Sequence, residues 1–220
     1  MVVGVRRRNR RRAAADQRVS PVTEAERYAA MGWPLCTGAN LRALEPGRAC
    51  SCDRVGCPAP GAHPASPAWQ MQATVDITTI RQWWQASPSA NVILVTGRVF
   101  DVLEVPAVPG ASALAMMARD SVETGPVARL GDETMHFYIA TRGAPVDEDE
   151  WWSCGLDCSP EMAIPTGEVR WHCRDSFVLG PPSVYAGGQD VRWVRRPEGR
   201  PLPDAMRLLE YLADAVEDRR

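Results

Sequence analysis

The stretch Val99-Phe100-Asp101-Val102-Leu103-Glu104-Val105-Pro106 decides the fold of this chain. It is apolar and rich in β-branched residues, which is typical of a buried strand, and it carries two carboxylates. Side chains alternate between the two faces of a strand, so Glu104 shares its face with Val102 and Pro106. Asp101 points to the other side. One regular strand therefore cannot hold a metal ion between Asp101 and Glu104.

Further strands and helices are predicted on both sides of this stretch. Apolar runs between turn residues predict strands at 33–36, 91–95, 127–130, 135–140, 169–172, 177–179 and 191–194. Helical spacing and capping residues predict helices at 21–33, 74–87, 111–119 and 204–217. A chain of 220 residues with 45% hydrophobic residues can bury one good core, and we expect one domain with tails.

The charge pattern gives no whole-chain sign of nucleic-acid binding, because the net charge is −2. All 25 basic residues are arginine, which fits the codon bias of a high-GC genome, although arginine also suits bidentate phosphate contacts. Residues 1–20 include an arginine-rich run, and we expect a disordered arm. This arm either holds phosphates or is an unstructured leader. No apolar run is long enough for a membrane helix or a secretory signal, so we expect a cytoplasmic protein.

The seven cysteines indicate metal binding more than disulfides, since the expected compartment is reducing. Cys50, Cys52, Cys57 and His63 lie in a Gly/Pro-rich loop with almost no apolar residue. Thiolates and imidazole suit tetrahedral Zn²⁺, and four protein ligands make such a site structural. The alternative is that these cysteines are free, and Cys36 is a possible substitute ligand. A weaker hypothesis is a second metal site formed by Cys154, Cys158, Cys173 and His172.

Several segments occur in an order that resembles a known family. They are 28–34 (YAAMGWP), 61–64 (GAHP), 80–84 (IRQWW), 91–97, 100–105 (FDVLEV), 136–138 (HFY) and 180–183 (GPPS). Over roughly residues 22–196 the chain resembles the N-terminal domain of bifunctional DNA primase/polymerases (prim-pol), in its actinobacterial form.

The resemblance implies an α/β (α+β) fold like that of archaeo-eukaryotic primases, with a central, mostly antiparallel sheet flanked by helices. To this fold we add the zinc-binding loop. The expected organisation is a disordered arm at 1–20, a prim-pol-like domain at 21–196, and a linker with a C-terminal helix at 197–220. The implied reaction is nucleotidyl transfer from nucleoside triphosphates to a 3′-hydroxyl on a DNA template, which needs clustered carboxylates around two Mg²⁺ or Mn²⁺ ions.

The chain departs from the family at the residues that carry this reaction. The family's acid-x-acid pair falls on Glu104 and Pro106, and its third carboxylate falls near Arg170. Glu104 and His136 remain as the expected catalytic residues, in vestigial or impaired form, and His136 matches the family's nucleotide-contacting histidine. Because proline and arginine supply no ligand oxygen for a cation, we expect impaired or lost catalysis.

We also predict that Arg98, Arg129 and Ser183 contact nucleotide or DNA, together with His136.

Three functional hypotheses remain open from the sequence. The first is a degenerate prim-pol-like domain that binds nucleotide or DNA in a cleft around Glu104 and His136. The second is an active primase/polymerase that recruits Asp101, Asp132 or Asp175 in place of the missing acids. The third is a zinc-loop protein-interaction module with no ligand in the cleft. In each case a replication-related protein partner is possible.

Overall fold

The computed structural model describes residues 19–44, 47–141 and 169–217. In these segments the strands pair antiparallel and form three sheets. The helices are α1 (Pro21–Ala30), α2 (Trp69–Gln72), α3 (Ile77–Ala86), α4 (Ala107–Arg119) and α5 (Ala205–Glu217). None of the helices in this described part of the chain is long and apolar enough to cross a bilayer.

The strands are numbered in chain order. They are β1 (Leu35–Gly38), β2 (Leu41–Leu44), β3 (Gly47–Cys50), β4 (Asn91–Val95), β5 (Phe100–Pro106), β6 (Val127–Leu130), β7 (Thr134–Ala140), β8 (Arg170–His172), β9 (Phe177–Gly180), β10 (Ser183–Tyr185) and β11 (Gln189–Arg195). The large sheet has the order β10-β11-β6-β7-β5-β8, the small sheet has the order β1-β4-β9, and β2 and β3 form a separate hairpin.

Strand β5 lies between β7 and β8 in the large sheet. It pairs with β7 along its whole length, with Glu104 directly opposite His136. Its other edge pairs with β8, with Glu104 opposite Arg170 and Val102 opposite His172. Because paired residues share a face, this register places all four polar side chains on the face of Glu104.

The large sheet has an apolar layer on each face. One face packs on α4 and α5, through residues that include Leu103, Val105, Phe137, Met117, Leu208 and Leu212. The other face packs on α1, α3 and the small sheet, through residues that include Phe100, Val102, Tyr138, Tyr28, Ile80 and Val92. The C-terminal helix is therefore part of the main core, because burial of its apolar stripe holds it against the sheet.

The observed fold confirms the predicted α+β class with antiparallel sheets flanked by helices. Helix α4 begins at Ala107 instead of residue 111, because Pro106 has extended backbone angles and serves as its N-cap. Strands β2, β3 and β10 were not predicted, since they are only three or four residues long and show no clear alternation. The predicted N-terminal arm lies outside the described residues, apart from its last two positions.

Candidate functional site

Three side chains from three strands meet on one face of the large sheet. The Nε2 atom of His136 lies 3.0 Å from Oε2 of Glu104, and the Nε2 atom of His172 lies 2.9 Å from the same oxygen. The strand register explains the meeting, because His136 is opposite Glu104 and His172 is opposite Val102 on the same face. We call Glu104, His136 and His172 the sheet triad.

The sheet triad combines buried imidazoles with a more open carboxylate. The side chains of His136 and His172 are 2% and 7% exposed, whereas that of Glu104 is 30% exposed. Burial by itself raises the pKa of Glu104, but hydrogen bonds from the two imidazoles outweigh burial and hold this pKa far below its ordinary value. Burial lowers the pKa of His136 despite the adjacent carboxylate. At neutral pH, Glu104 is therefore charged and His136 is neutral.

The second ring nitrogens of the two histidines differ in their surroundings. Nδ1 of His172 lies 3.2 Å from the hydroxyl of Ser176, which orients the ring. Nδ1 of His136 is buried and has no hydrogen-bond partner among the residues that the structure describes. Arg170 is opposite Glu104 in the sheet, and its positive charge contributes to lowering the pKa of His136. The surroundings of Glu104 are thus rich in nitrogen.

The turn before β5 holds the end of β8 in place. The hydroxyl of Thr96 donates a 2.6 Å hydrogen bond to the carbonyl of Cys173. Gly97 has a φ of 78°, and a Cβ there would lie 2.2 Å from Cα of Arg174, so only glycine allows this close approach. These contacts place His172 beside Glu104.

A second cluster lies in the loop after β3. The ligand atoms of Cys50, Cys52, Cys57 and His63 all lie within 4.8 Å of one another, and we call these residues the Cys loop. Nδ1 of His63 donates to the carbonyl of Pro64 at 2.8 Å, which leaves Nε2 with its lone pair, 3.3 Å from Sγ of Cys50. Three sulfurs and one imidazole nitrogen suit a tetrahedral structural site for zinc.

Cys50 is the buried member of the Cys loop. Burial by itself raises the pKa of its thiol, but hydrogen bonds from the backbone N–H groups of Cys52 and Gly61 help to lower it to about 6. A thiol with such a pKa is largely a thiolate at neutral pH, which is the form that binds metal.

Asn91 attaches the Cys loop to the two sheets. Its buried side-chain amide donates to the carbonyls of Gly61 and Val184 at 2.7 and 2.8 Å, and its Oδ1 accepts from the N–H of Val184. Gly61 belongs to the loop and Val184 to β10, whereas Asn91 itself begins β4. One amide therefore connects three parts of the chain.

Comparison with protein families gives a match over most of the chain. The family model described as bifunctional DNA primase/polymerase, N-terminal (Prim-Pol), matches residues 25–205. The chain belongs to this family. No curated protein matches the sequence. The family resemblance predicted from the ordered motifs is confirmed, and the two clusters above both lie within the Prim-Pol domain.

The residues of this Prim-Pol domain do not fit a pair of Mg²⁺ or Mn²⁺ ions. Glu104 is the only carboxylate of the sheet triad, and on the same sheet face Pro106 and Arg170 stand at the positions where the resemblance expects acids. Hard divalent cations prefer oxygen ligands, and the side chains of proline and arginine supply none. Among the residues that the structure describes, no further carboxylate joins Glu104 to hold a second ion.

The three aspartates considered as substitute acids are not members of the sheet triad. Asp101 is on the opposite sheet face, as strand alternation predicts, and accepts a hydrogen bond from the indole of Trp171 at 3.2 Å. Asp132 is exposed and pairs with Arg129. Asp175 is exposed in the turn after β8, where it pairs with Arg174.

The other predicted nucleotide contacts lie apart from the sheet triad or serve the fold. Arg129 is opposite Met135, on the sheet face away from His136, and its Nε donates to the carbonyl of Gly131. Arg98 is exposed and donates to the carbonyl of Gln70. Ser183 is buried and bridges β4 and β9, since its hydroxyl accepts from the N–H of Val92 and donates to the carbonyl of Gly180.

His172 is the site residue that sequence reasoning missed. The sequence suggested His172 only as a ligand of a second metal site, together with Cys154, Cys158 and Cys173. Of these, Cys154 and Cys158 lie outside the described residues. The available signal was the alternation in 170–172, which places His172 on the same strand face as Arg170, the position matched to a catalytic acid.

Proposed function

We propose that this Prim-Pol domain binds a phosphate-bearing ligand, a nucleotide or DNA, beside Glu104 and Arg170, and does not catalyse nucleotidyl transfer. The observation that carries the proposal is the composition of the face around Glu104. Where two-metal transfer requires three carboxylates, the described residues of this cluster offer one, which already accepts hydrogen bonds from two histidines. The proposal thus separates binding from catalysis.

The charge balance supports direct binding of an anion. In a two-metal site the cations neutralise the phosphates, and acidic ligands hold the cations. Here Arg170 stands beside the single acid, and a guanidinium contacts phosphate oxygens in bidentate fashion without a cation. His136 is also in the site, as the resemblance to the family leads us to expect of a nucleotide contact. Under this proposal a replication-related partner supplies the chemistry.

Two assays on the full chain test the proposal. In the first, a primed DNA template is incubated with nucleoside triphosphates and Mg²⁺ or Mn²⁺, and we expect no extension. In the second, binding of a fluorescent nucleoside triphosphate or a short single strand is measured by anisotropy. We expect binding that weakens at least about tenfold in Arg170→Gln, since a charge-assisted contact contributes roughly 1.5–3 kcal/mol.

The matched control is Arg192→Gln. Arg192 is an exposed arginine of the same sheet, but it pairs with Arg129 and so lies on the face away from Glu104. Equal losses in both variants would indicate nonspecific attraction by arginines and would contradict the proposed site. Extension products that disappear in Glu104→Ala would instead establish an active polymerase.

A second candidate function is a protein-interaction module built on the Cys loop. The observation that favours it is Val55, an apolar side chain that is 99% exposed within this loop. Burial of this side chain against a partner would remove apolar surface from water, which is favourable. Loss of binding to a partner in Val55→Ser, with nucleotide binding absent from the intact chain, would favour this alternative over the first.

A further inference from the structure

We infer that the sheet triad binds one divalent transition-metal ion, in place of the two Mg²⁺ or Mn²⁺ ions of a nucleotidyl transferase site. The inference rests on the proposal that two-metal transfer is lost, and it names what the same face binds instead. The ligands are Nε2 of His136, Nε2 of His172 and the carboxylate of Glu104.

The distances within the sheet triad fit a coordination sphere. Zinc bonds to imidazole nitrogen and carboxylate oxygen are about 2.0–2.2 Å long, which places neighbouring donor atoms roughly 2.9–3.5 Å apart. The two nitrogens lie 3.0 and 2.9 Å from Oε2 of Glu104. In the metal-free chain these contacts are hydrogen bonds. An ion takes the place of the Nε2 protons when each neutral imidazole carries its single proton on Nδ1 instead.

The donor set selects the class of ion. Imidazole nitrogen suits zinc and the neighbouring transition metals, whereas Mg²⁺ takes oxygen ligands and retains water. Two histidines and one glutamate also leave coordination positions open, as in catalytic zinc sites. These open positions would face solvent on the side of Glu104, because its side chain is the one in the sheet triad with substantial exposure. An oxygen of water or of a bound phosphate can complete the coordination there.

The surrounding structure prepares the two imidazoles as ligands. Both are buried on strands of one sheet, so little side-chain entropy remains to be lost when an ion binds. Ser176 contacts the remote nitrogen of His172, the kind of second contact that orients metal-binding histidines.

The distribution of histidine points the same way. The chain has 3 histidines, and each belongs to one of the two metal-ligating clusters, His63 to the Cys loop and the others to the sheet triad.

Metal analysis of the full chain tests the inference. The protein is stripped with a chelator, dialysed against Zn²⁺ with excess Mg²⁺ present, and its zinc content is measured. We expect two zinc ions in the wild type, one in His172→Gln, and one in the double variant Cys52→Ser/Cys57→Ser. A wild type with a single ion that the cysteine variant loses would overturn the inference, as would two ions retained in His172→Gln.

Cobalt spectroscopy keeps the inference testable if His172→Gln does not fold. In Cys52→Ser/Cys57→Ser the sheet triad is intact, and Co²⁺ should give d–d absorption without the strong thiolate-to-cobalt band of the Cys loop. Ser176→Ala in this background should weaken Co²⁺ binding about tenfold or more. A spectrum without d–d absorption, or with only a thiolate band, would contradict the site.

The two proposals fail separately. If nucleotide binding is absent but the second ion is present, the proposed function is wrong and the metal site stands. If nucleotide binds at the Arg170 face but only the Cys loop takes up metal, the metal site is wrong and the proposed function stands.

Discussion

The Cys loop and the sheet triad both collect metal-ligating side chains, but they are built in opposite ways. The four residues of the Cys loop lie within positions 50–63, in a Gly/Pro-rich segment with few apolar side chains. The three residues of the sheet triad lie far apart in sequence and are brought together by strand pairing. We therefore expect the loop to depend on an ion for its conformation, whereas strand pairing holds the triad together without one.

The largest effect should follow from emptying the Cys loop. Cys52→Ser should lose the loop's zinc and lower the free energy of unfolding by about 2.7 kcal/mol at free zinc one hundred times the dissociation constant. Metal analysis and denaturant unfolding, each with and without chelator, measure both effects. Retention of zinc would remove Cys52 from the ligand set.

The matched control for this variant is Cys36→Ala. Cys36 is buried among Ile93 and Leu179, and burial raises the pKa of its thiol to about 12, so it is a poor ligand. Its replacement should leave the zinc content unchanged. Loss of zinc in this control would make Cys36 the substitute ligand that the sequence left open.

A smaller effect is expected from breaking the sheet triad. Glu104→Ala removes the acceptor of two buried imidazole N–H groups and should lower the free energy of unfolding of the metal-free chain by about 2 kcal/mol. Glu104→Gln keeps one carbonyl oxygen and should cost about half as much. Denaturant unfolding in chelator measures both variants. Equal costs would show that the hydrogen bonds to Glu104 do not stabilise the sheet.

A still smaller effect is expected at Asn91, which connects the Cys loop to the sheets. Asn91→Ala removes the amide that connects the Cys loop to β10 and should lower the free energy of unfolding by about 1.5 kcal/mol, because buried carbonyls lose their donors. Zinc content should be unchanged, since Asn91 is not a ligand. Loss of zinc in Asn91→Ala would mean that the loop needs the sheet as well as the ion.

The smallest effect is expected at Pro106. In Pro106→Asp the new side chain can cap α4, which should raise the free energy of unfolding by about 1 kcal/mol. Loss of the proline's restricted backbone should lower it by about 0.4–1 kcal/mol. Thermal unfolding should therefore show a net change within about 0.5 kcal/mol, and the sheet triad should gain affinity for Mn²⁺ from the added carboxylate. A loss above about 1.5 kcal/mol would mean that the proline ring itself is needed.

Much of the fold was predictable because its elements carry local signals. The strands around 91–95 and 100–106 are apolar runs between turn residues, and α3 begins after Asp76, whose side chain caps the helix by accepting from the N–H of Thr79. The hairpin of β2 and β3 gave no such signal, since its strands are only four residues long and show no clear alternation. The start of α4 was misplaced, because Pro109-Gly110 is typical of a turn but lies within the first turns of the helix.

The two clusters also differ in whether local sequence signals predict them. The convergence of the four Cys-loop residues was predicted, because ligands separated by a few residues in a turn-rich segment can meet only locally. The placement of Glu104 and Asp101 on opposite faces of the sheet followed from alternation along one strand. His172 was not predicted as their neighbour, because β8 has three residues and nothing in them indicates their pairing partner.

The amino-acid sequence by itself determined the central strand, the convergence of the Cys-loop residues and membership of the Prim-Pol family, since each rests on residues close together in the chain or on the order of motifs. Only the tertiary structure decided that His136 and His172 share the carboxylate of Glu104. That meeting depends on the pairing register of β5, β7 and β8, and a slip of one residue would turn each side chain to the other face of the sheet.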